Sequence, residues 1–216
     1  MAAKQVLRWG FGALFGAAYL WLGHQAAIAN DPPLISLLIG LAPLSTSAVV
    51  LAWHSRSVWL QSLCAACLLG MLLNLDFLRS NTAWVYYIQH AGMHTMLGIM
   101  FGRTLGKDDA TALCARLSSM VYAPPLDAHH LRYARNVTVV WTLYFAGAMV
   151  ISSLLFFFGP LTLWSVFANL LTPVLIGAIF VVEYLTRRAA LPGLKHVSIA
   201  HSIRLYREYS ERSNKD

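Results

Sequence analysis

Long apolar runs alternate with short polar clusters along the chain. A helix rises about 1.5 Å per residue, so about 20 mostly apolar residues span the hydrocarbon layer of a membrane. Six runs fit, near residues 9–28, 34–53, 58–75, 83–102, 138–158 and 164–186. The links "NDPP", "HSRS", "DFLRSNT" and "GPLT" are short and rich in turn formers. Short links force neighbouring helices to run antiparallel, as hairpins. The pattern predicts an all-α polytopic membrane protein of about six transmembrane helices, with short amphipathic cytoplasmic helices. Residues 1–188 form the bundle and residues 189–216 a basic tail.

The one long link, 103–137, changes character. "DDATALCARLSSMVYAPP" starts with capping acids and carries Leu113, Leu117, Met120 and Val121 at helical spacing. That spacing predicts a short amphipathic helix on the inner leaflet. "DAHHLRYARN" then starts a helix at Asp127 that leads into the fifth span. The tail breaks at "LPG" and resumes with an apolar stripe of Ile199, Ile203 and Tyr206 beside Arg204 and Arg207.

Composition agrees with the pattern. The 216 residues are 58% hydrophobic and 12% charged, against about 25% charged in soluble domains. The net charge of +7 does not point to nucleic acid, because the basic residues flank the spans. Lys4 and Arg8 precede the first span, and Arg56 follows the second. Arg103, Lys107, Arg116, Arg132 and Arg135 fill the long link, and Arg187, Arg188, Lys195, Arg204, Arg207, Arg212 and Lys215 the tail. Only Arg79 falls on the other side. The positive-inside rule therefore places both termini in the cytoplasm. Trp9, Trp21, Trp53, Trp59, Trp84, Trp141 and Trp164 fall near span ends, where indole favours the interface. The N-terminus also reads as a signal peptide, with "AIA" before Asn30 as its cleavage site. Against that, Gly12 and Gly16 form a small-xxx-small face suited to helix packing.

The candidate chemistry lies within the spans. His90 and His94 are one helical turn apart in "YYIQHAGMHTMLGIMFGR", and ionisable groups are costly in hydrocarbon. Cys64 and Cys67 lie at comparable depth in the third span. Cys-x2-Cys facing His-x3-His is a donor set that zinc accepts, but cysteine is also a common small packing residue. No metal and no other cofactor is expected. The bland reading is hydrogen bonding between helices, with Ser45, Thr46, Ser47, Ser152, Ser153, Asn169 and Thr172 as partners. Pro43 and Pro173 each remove a helix bond and free a carbonyl, and such breaks line cavities in transporters. Asp76 is expected to pair with Arg79, and Glu183 with Arg187 one turn on, or to act as a buried acid. Arg103, Arg132, Arg135, Arg204 and Arg207 are candidates for contact with anionic lipid or a partner.

"IQHAGMHTMLGIMFGRTL", the stretch from "VTVVWTLYF" to "VVEYLTRR", and "HVSIAHSIRLYR" resemble an uncharacterised family of bacterial inner-membrane proteins associated with gene groups for aryl-polyene and related acyl-chain synthesis. The resemblance covers residues 85–207 and leaves the first three spans aside. His90, Arg103, Asn169 and Pro173 match the family pattern, whereas His94 departs from it. The resemblance implies a setting and no catalytic residues. It points to an accessory protein for making or exporting a polyene-like or other acyl lipid, which binds membrane lipid or organises acyl-chain enzymes or an acyl carrier protein. The alternatives are a small-molecule or lipid transporter and a membrane enzyme centred on His90.

Overall fold

A computed structural model describes residues 2–29, 32–122 and 126–192. The basic tail from residue 193, with Arg204, Arg207 and its apolar stripe, lies outside the described residues, as do Asn30 and the prolines at 124 and 125. The described chain is helical with no strand, and 88% of the residues are in helix. The α-helices are α1 (Ala2–Ile28), α2 (Leu34–His54), α3 (Val58–Leu73), α4 (Leu75–Ser80), α5 (Thr82–Gly102), α6 (Leu113–Val121), α7 (Ala128–Phe158), α8 (Leu161–Ser165) and α9 (Thr172–Ala190). A π-helical segment, Val166–Leu171, joins α8 to α9 without a break, and a 3-10 turn, Asp109–Thr111, precedes α6.

Three helical stretches are long and apolar enough to cross a membrane: Leu34–His54, Ala128–Phe158 and the continuous Leu161–Ala190. That is fewer than the six expected from the sequence, and the reasons are local. α3 has only 16 residues and ends at Asn74, whose side chain turns back to the Gly70 carbonyl. Its rise of about 24 Å falls short of a 30 Å hydrocarbon layer. α5 is 21 residues long, but Gln89, His90 and His94 dilute its apolar character. α1 is long at 27 residues, yet Lys4, Gln5 and Arg8 take up its first turns and His24 and Gln25 its end. α2 passes through Pro43 unbroken. There Ser47 Oγ donates to the Pro43 carbonyl at 2.7 Å and Thr46 Oγ1 donates to the Ala42 carbonyl, so both hydroxyls bond back to their own helix beside the proline.

The chain divides into two compact units. The first takes residues 1–92 and 150–174. Within it α1 packs against α2, α8 and the π-helical segment, and α2 packs against α3. Ala26, Ala27, Leu37, Leu41, Trp164 and Phe167 are buried there. Gly40 permits one close approach: a methyl group at its Cα would lie 2.6 Å from the Tyr86 hydroxyl oxygen. Tyr86 uses that approach to donate to the Ser36 carbonyl at 3.2 Å. Arg79 donates through Nε to the Pro32 carbonyl at 2.7 Å, which ties α4 to the link before α2.

The second unit takes residues 93–149 and 175–216. Gly98 and Gly102, four apart on α5, lie against α7. A methyl on Gly98 would meet Phe145 Cβ at 3.6 Å, and one on Gly102 would meet Thr142 Cγ2 at 3.2 Å. Small residues let two helices approach in this way. Phe101 fills the space between them against Phe145 and Trp141. Asp108 caps the 3-10 turn before α6, its carboxylate accepting from the Ala110 N–H. Its buried face is small rather than large. Ala112 and Ala115 pack on Ala134 of α7, with Leu105, Cys114 and Leu131 around them, whereas Leu117 stays exposed. The Asp127 carboxylate accepts from the His130 N–H at 2.6 Å and opens α7, which then runs 31 residues without interruption.

Candidate functional site

Pro173 shapes the polar centre of the first unit. It has no N–H, and its ring would crowd the carbonyl four residues earlier. The π-helical segment before it absorbs that conflict by widening the ladder. The Thr172 N–H reaches the Phe167 carbonyl, five residues back. Thr172 Oγ1 donates to the same carbonyl at 2.9 Å. Its single proton is thereby used, so the 3.2 Å contact between Thr172 Oγ1 and His90 Nε2 has His90 as donor. The network assigns the proton of His90 to Nε2. The His90 ring also stands edge-on to Phe167, 6.0 Å between centroids.

A second knot forms about two turns earlier, at Ser165. Ser165 is fully buried, and His24 Nδ1 lies 2.8 Å from its Oγ. Ser165 Oγ donates to the His24 carbonyl at 3.2 Å. Asn169 Nδ2 lies 3.2 Å from both the Ser165 carbonyl and Ser165 Oγ. One assignment satisfies all four contacts: Asn169 gives both amide protons to Ser165, His24 donates through Nδ1, and the serine proton goes to the His24 carbonyl. Beside this knot Trp164, also fully buried, donates through Nε1 to Ser152 Oγ at 3.0 Å. Tyr87 bonds Ser153 at 3.0 Å and stacks on Phe156, 4.2 Å between centroids. Hydroxyls, imidazoles and an amide thus join α1, α5, the end of α7 and the π-helical segment.

Of the residues singled out from sequence, His90, Asn169 and Thr172 belong to this unit. His94 does not join them. It is buried in the second unit, where its ring meets Tyr144 and Phe145 at 6.2 and 6.0 Å. Cys64 and Cys67 lie along a hollow of about 300 Å³ between α2 and α3, with Leu44, Ala48, Leu51 and Leu60. Their neighbours are apolar side chains of α2. Among the described residues, no three histidine, cysteine or acidic side chains come together as a metal site.

Glu183 is the centre of the second unit. Tyr133 donates its hydroxyl to the Glu183 carbonyl at 3.1 Å and lies 3.3 Å from its Oε1. Arg187 Nε stands 3.5 Å from the same carboxylate. A few turns along, Trp141 of α7 meets Phe180 of α9, 4.9 Å between centroids. These long side chains bridge α7 and α9 and leave hollows beside the seam. One is an apolar groove of about 420 Å³, walled by Val137, Val140 and Trp141 of α7 and Leu175, Ala178, Ile179 and Val182 of α9. Tyr133, Asn136, Glu183 and Thr186 stand at its polar end. The other is a smaller, more polar cavity of about 180 Å³ under α6, where Cys114, Ser118, His130, Tyr133, Glu183 and Arg187 meet. Burial pushes the Cys114 thiol up. The Thr138 hydroxyl pulls it down by hydrogen bonding, and the charge of Glu183 adds a further upward push. The thiol form is thereby favoured over the thiolate.

Arg135 lies 3.4 Å from Asp109 and donates to the Gly106 carbonyl, so it holds the link before α6. Arg103 and Arg132 are exposed. Ser165 and Tyr133 were not singled out from sequence, and Trp164, expected at the interface, is instead fully buried. Ser165 and Asn169 are four apart, a helical pairing signal. Nothing local in the sequence marks Tyr133.

The fold and these two centres define a helical protein with three stretches long and apolar enough to cross a membrane and polar knots between its helices. Comparison of the chain with family models, curated proteins and solved structures gave no match.

Proposed function

We propose that this protein is a six-helix accessory protein of the bacterial inner membrane that binds an acyl lipid for a pathway of its synthesis or export. The groove between α7 and α9 carries the reading. At about 420 Å³ it falls within the range of small-molecule sites. Its walls are aliphatic and aromatic, and its polar groups gather at one end. In this reading α1 and α5 also cross the membrane, the short α3 does so where the bilayer thins around it, and both termini are cytoplasmic, as the distribution of basic residues argues. The exposed Arg103 and Arg132, together with Arg204 and Arg207 of the tail, offer a basic inner face for anionic lipid or an acidic partner such as an acyl carrier protein.

The deciding experiment extracts the full chain in a mild non-ionic detergent and identifies the lipids that copurify. The expected result is acyl lipid retained by the wild type and lost on Ala178→Trp, which fills the groove. Equal lipid content in the two proteins refutes the reading.

A second reading, a small carrier, draws on one observation. The π-helical segment before Pro173 holds His90, Thr172 and Asn169 at a helix irregularity, a feature frequent at functional sites. Transport of a labelled lipid by reconstituted vesicles, abolished by His90→Ala, is the result that supports it.

A further inference from the structure

The groove has an orientation as well as a volume. From Leu175 to Thr186 it follows α9 for about 16 Å, close to half of a 30 Å hydrocarbon layer. It therefore matches one leaflet. On α7 its wall runs through Val140 to Asn136, and Arg132 lies one turn further on the same helix face. Arg132 is exposed and has no ion-pair partner among the described residues. The acid nearest the polar end, Glu183, is engaged by Tyr133 and by Arg187, so its charge is offset. Val140, Leu175 and Val182 line the groove yet remain exposed, so it opens sideways along its length.

We infer that the groove holds one acyl chain of an anionic phospholipid whose phosphate sits at Arg132 and Asn136. The inference rests on the lipid-binding reading above and adds the head group, the leaflet and the contact residues. A sideways opening suits a two-chain lipid, which keeps its second chain in the bilayer. The arginine supplies the charge that discriminates among head groups. One arginine at a membrane surface contributes about 1 kcal/mol toward an anionic lipid, which is about fivefold in affinity.

The test uses the full chain in non-ionic detergent, titrated with phosphatidylglycerol, phosphatidylcholine of the same chains, or oleate, with bound molecules counted by native mass spectrometry. The expected result is one phosphatidylglycerol bound about fivefold more tightly than phosphatidylcholine. Arg132→Gln, an exposed change, should level the two lipids, and Ala178→Trp should abolish retention of both. Equal affinities in the wild type, with loss on Ala178→Trp, overturn the head-group assignment and leave the lipid-binding reading standing. Full retention by Ala178→Trp with an unchanged helical spectrum overturns both. Oleate that displaces phosphatidylglycerol at equal concentration overturns the choice of a phospholipid.

Discussion

Replacing Thr172 with valine keeps the side-chain volume and removes one hydroxyl. That hydroxyl donates to the Phe167 carbonyl at 2.9 Å and accepts from His90 at 3.2 Å. The backbone bond from the Thr172 N–H to the Phe167 carbonyl remains, so the π-helical segment should persist. Side-chain hydrogen bonds between membrane helices contribute about 0.6 kcal/mol on average and up to about 1.7 kcal/mol. Only the His90 bond is of this kind, the Phe167 bond lying within the helix, so the predicted loss is about 0.6–1.7 kcal/mol. For a chain of this length, each kcal/mol lowers the melting temperature by about 2–4 °C. Thr172→Ser retains the hydroxyl and should recover most of the difference. The assay is thermal unfolding in mild detergent, paired with nitrogen NMR of labelled histidine. The valine variant should shift the His90 Nε2 resonance, because its acceptor is gone, and leave that of His94 in place. A valine variant as stable as the wild type, or a serine variant as weak as valine, refutes the assignment of the network.

Three further outcomes follow from the packing and the electrostatics. Gly40→Ala places a methyl 2.6 Å from the Tyr86 oxygen and should cost about 1–3 kcal/mol, whereas Gly12→Ala, with nothing within 4 Å, should stabilise by up to about 1 kcal/mol, alanine being the better helix former; equal melting temperatures refute this. Gly102→Leu should lower the melting temperature more than Gly147→Leu, because only Gly102 has a neighbouring side chain within 4 Å, at 3.2 Å. Burial raises the Cys114 thiol, so its thiolate is scarce at neutral pH and its rate of alkylation should keep rising beyond pH 8.5, the ordinary cysteine value of about 8.5. Thr138→Val removes the hydrogen bond that lowers it and should slow the reaction further at fixed pH, as followed by mass spectrometry of the labelled chain.

The helical class was legible because long apolar runs leave little else to form, but only three of the six expected spans are long and apolar enough to cross a membrane. The start of α7 at Asp127 was legible too, since a capping carboxylate is a local device. Helix partners were not. Gly12 and Gly16 showed the small-xxx-small pattern, yet nothing lies within 4 Å of either, whereas Gly98 and Gly102 carry the same pattern against α7. The pattern says that a helix can be approached closely, not which helix approaches. For α6, spacing drew attention to Leu113, Leu117, Met120 and Val121, but the buried contacts fall to Ala112 and Ala115, because a close helix pair selects for size before hydrophobicity. His90 and His94 share a helix face in sequence terms, yet each answers to its own neighbours, Thr172 for one and Tyr144 with Phe145 for the other. Tyr133 was invisible because its partner, Glu183, is 50 positions away.

With α7 across a bilayer, as proposed, its uninterrupted length ties this protein to the thickness of that membrane. Its 31 residues rise about 46 Å, some 16 Å more than the hydrocarbon layer. The surplus is the polar first third, with His129, Arg132 and Arg135. Arg135 is fastened to Asp109 and to the Gly106 carbonyl, so this end cannot be drawn inward without breaking those contacts. A thicker bilayer must therefore thin locally around α7, and a thinner one leaves the turn from Val137 to Val140 in water. Either adjustment costs a fraction of a kcal/mol per Å of mismatch. The chain length of the surrounding lipids thereby becomes a variable the protein responds to, independently of any lipid it holds.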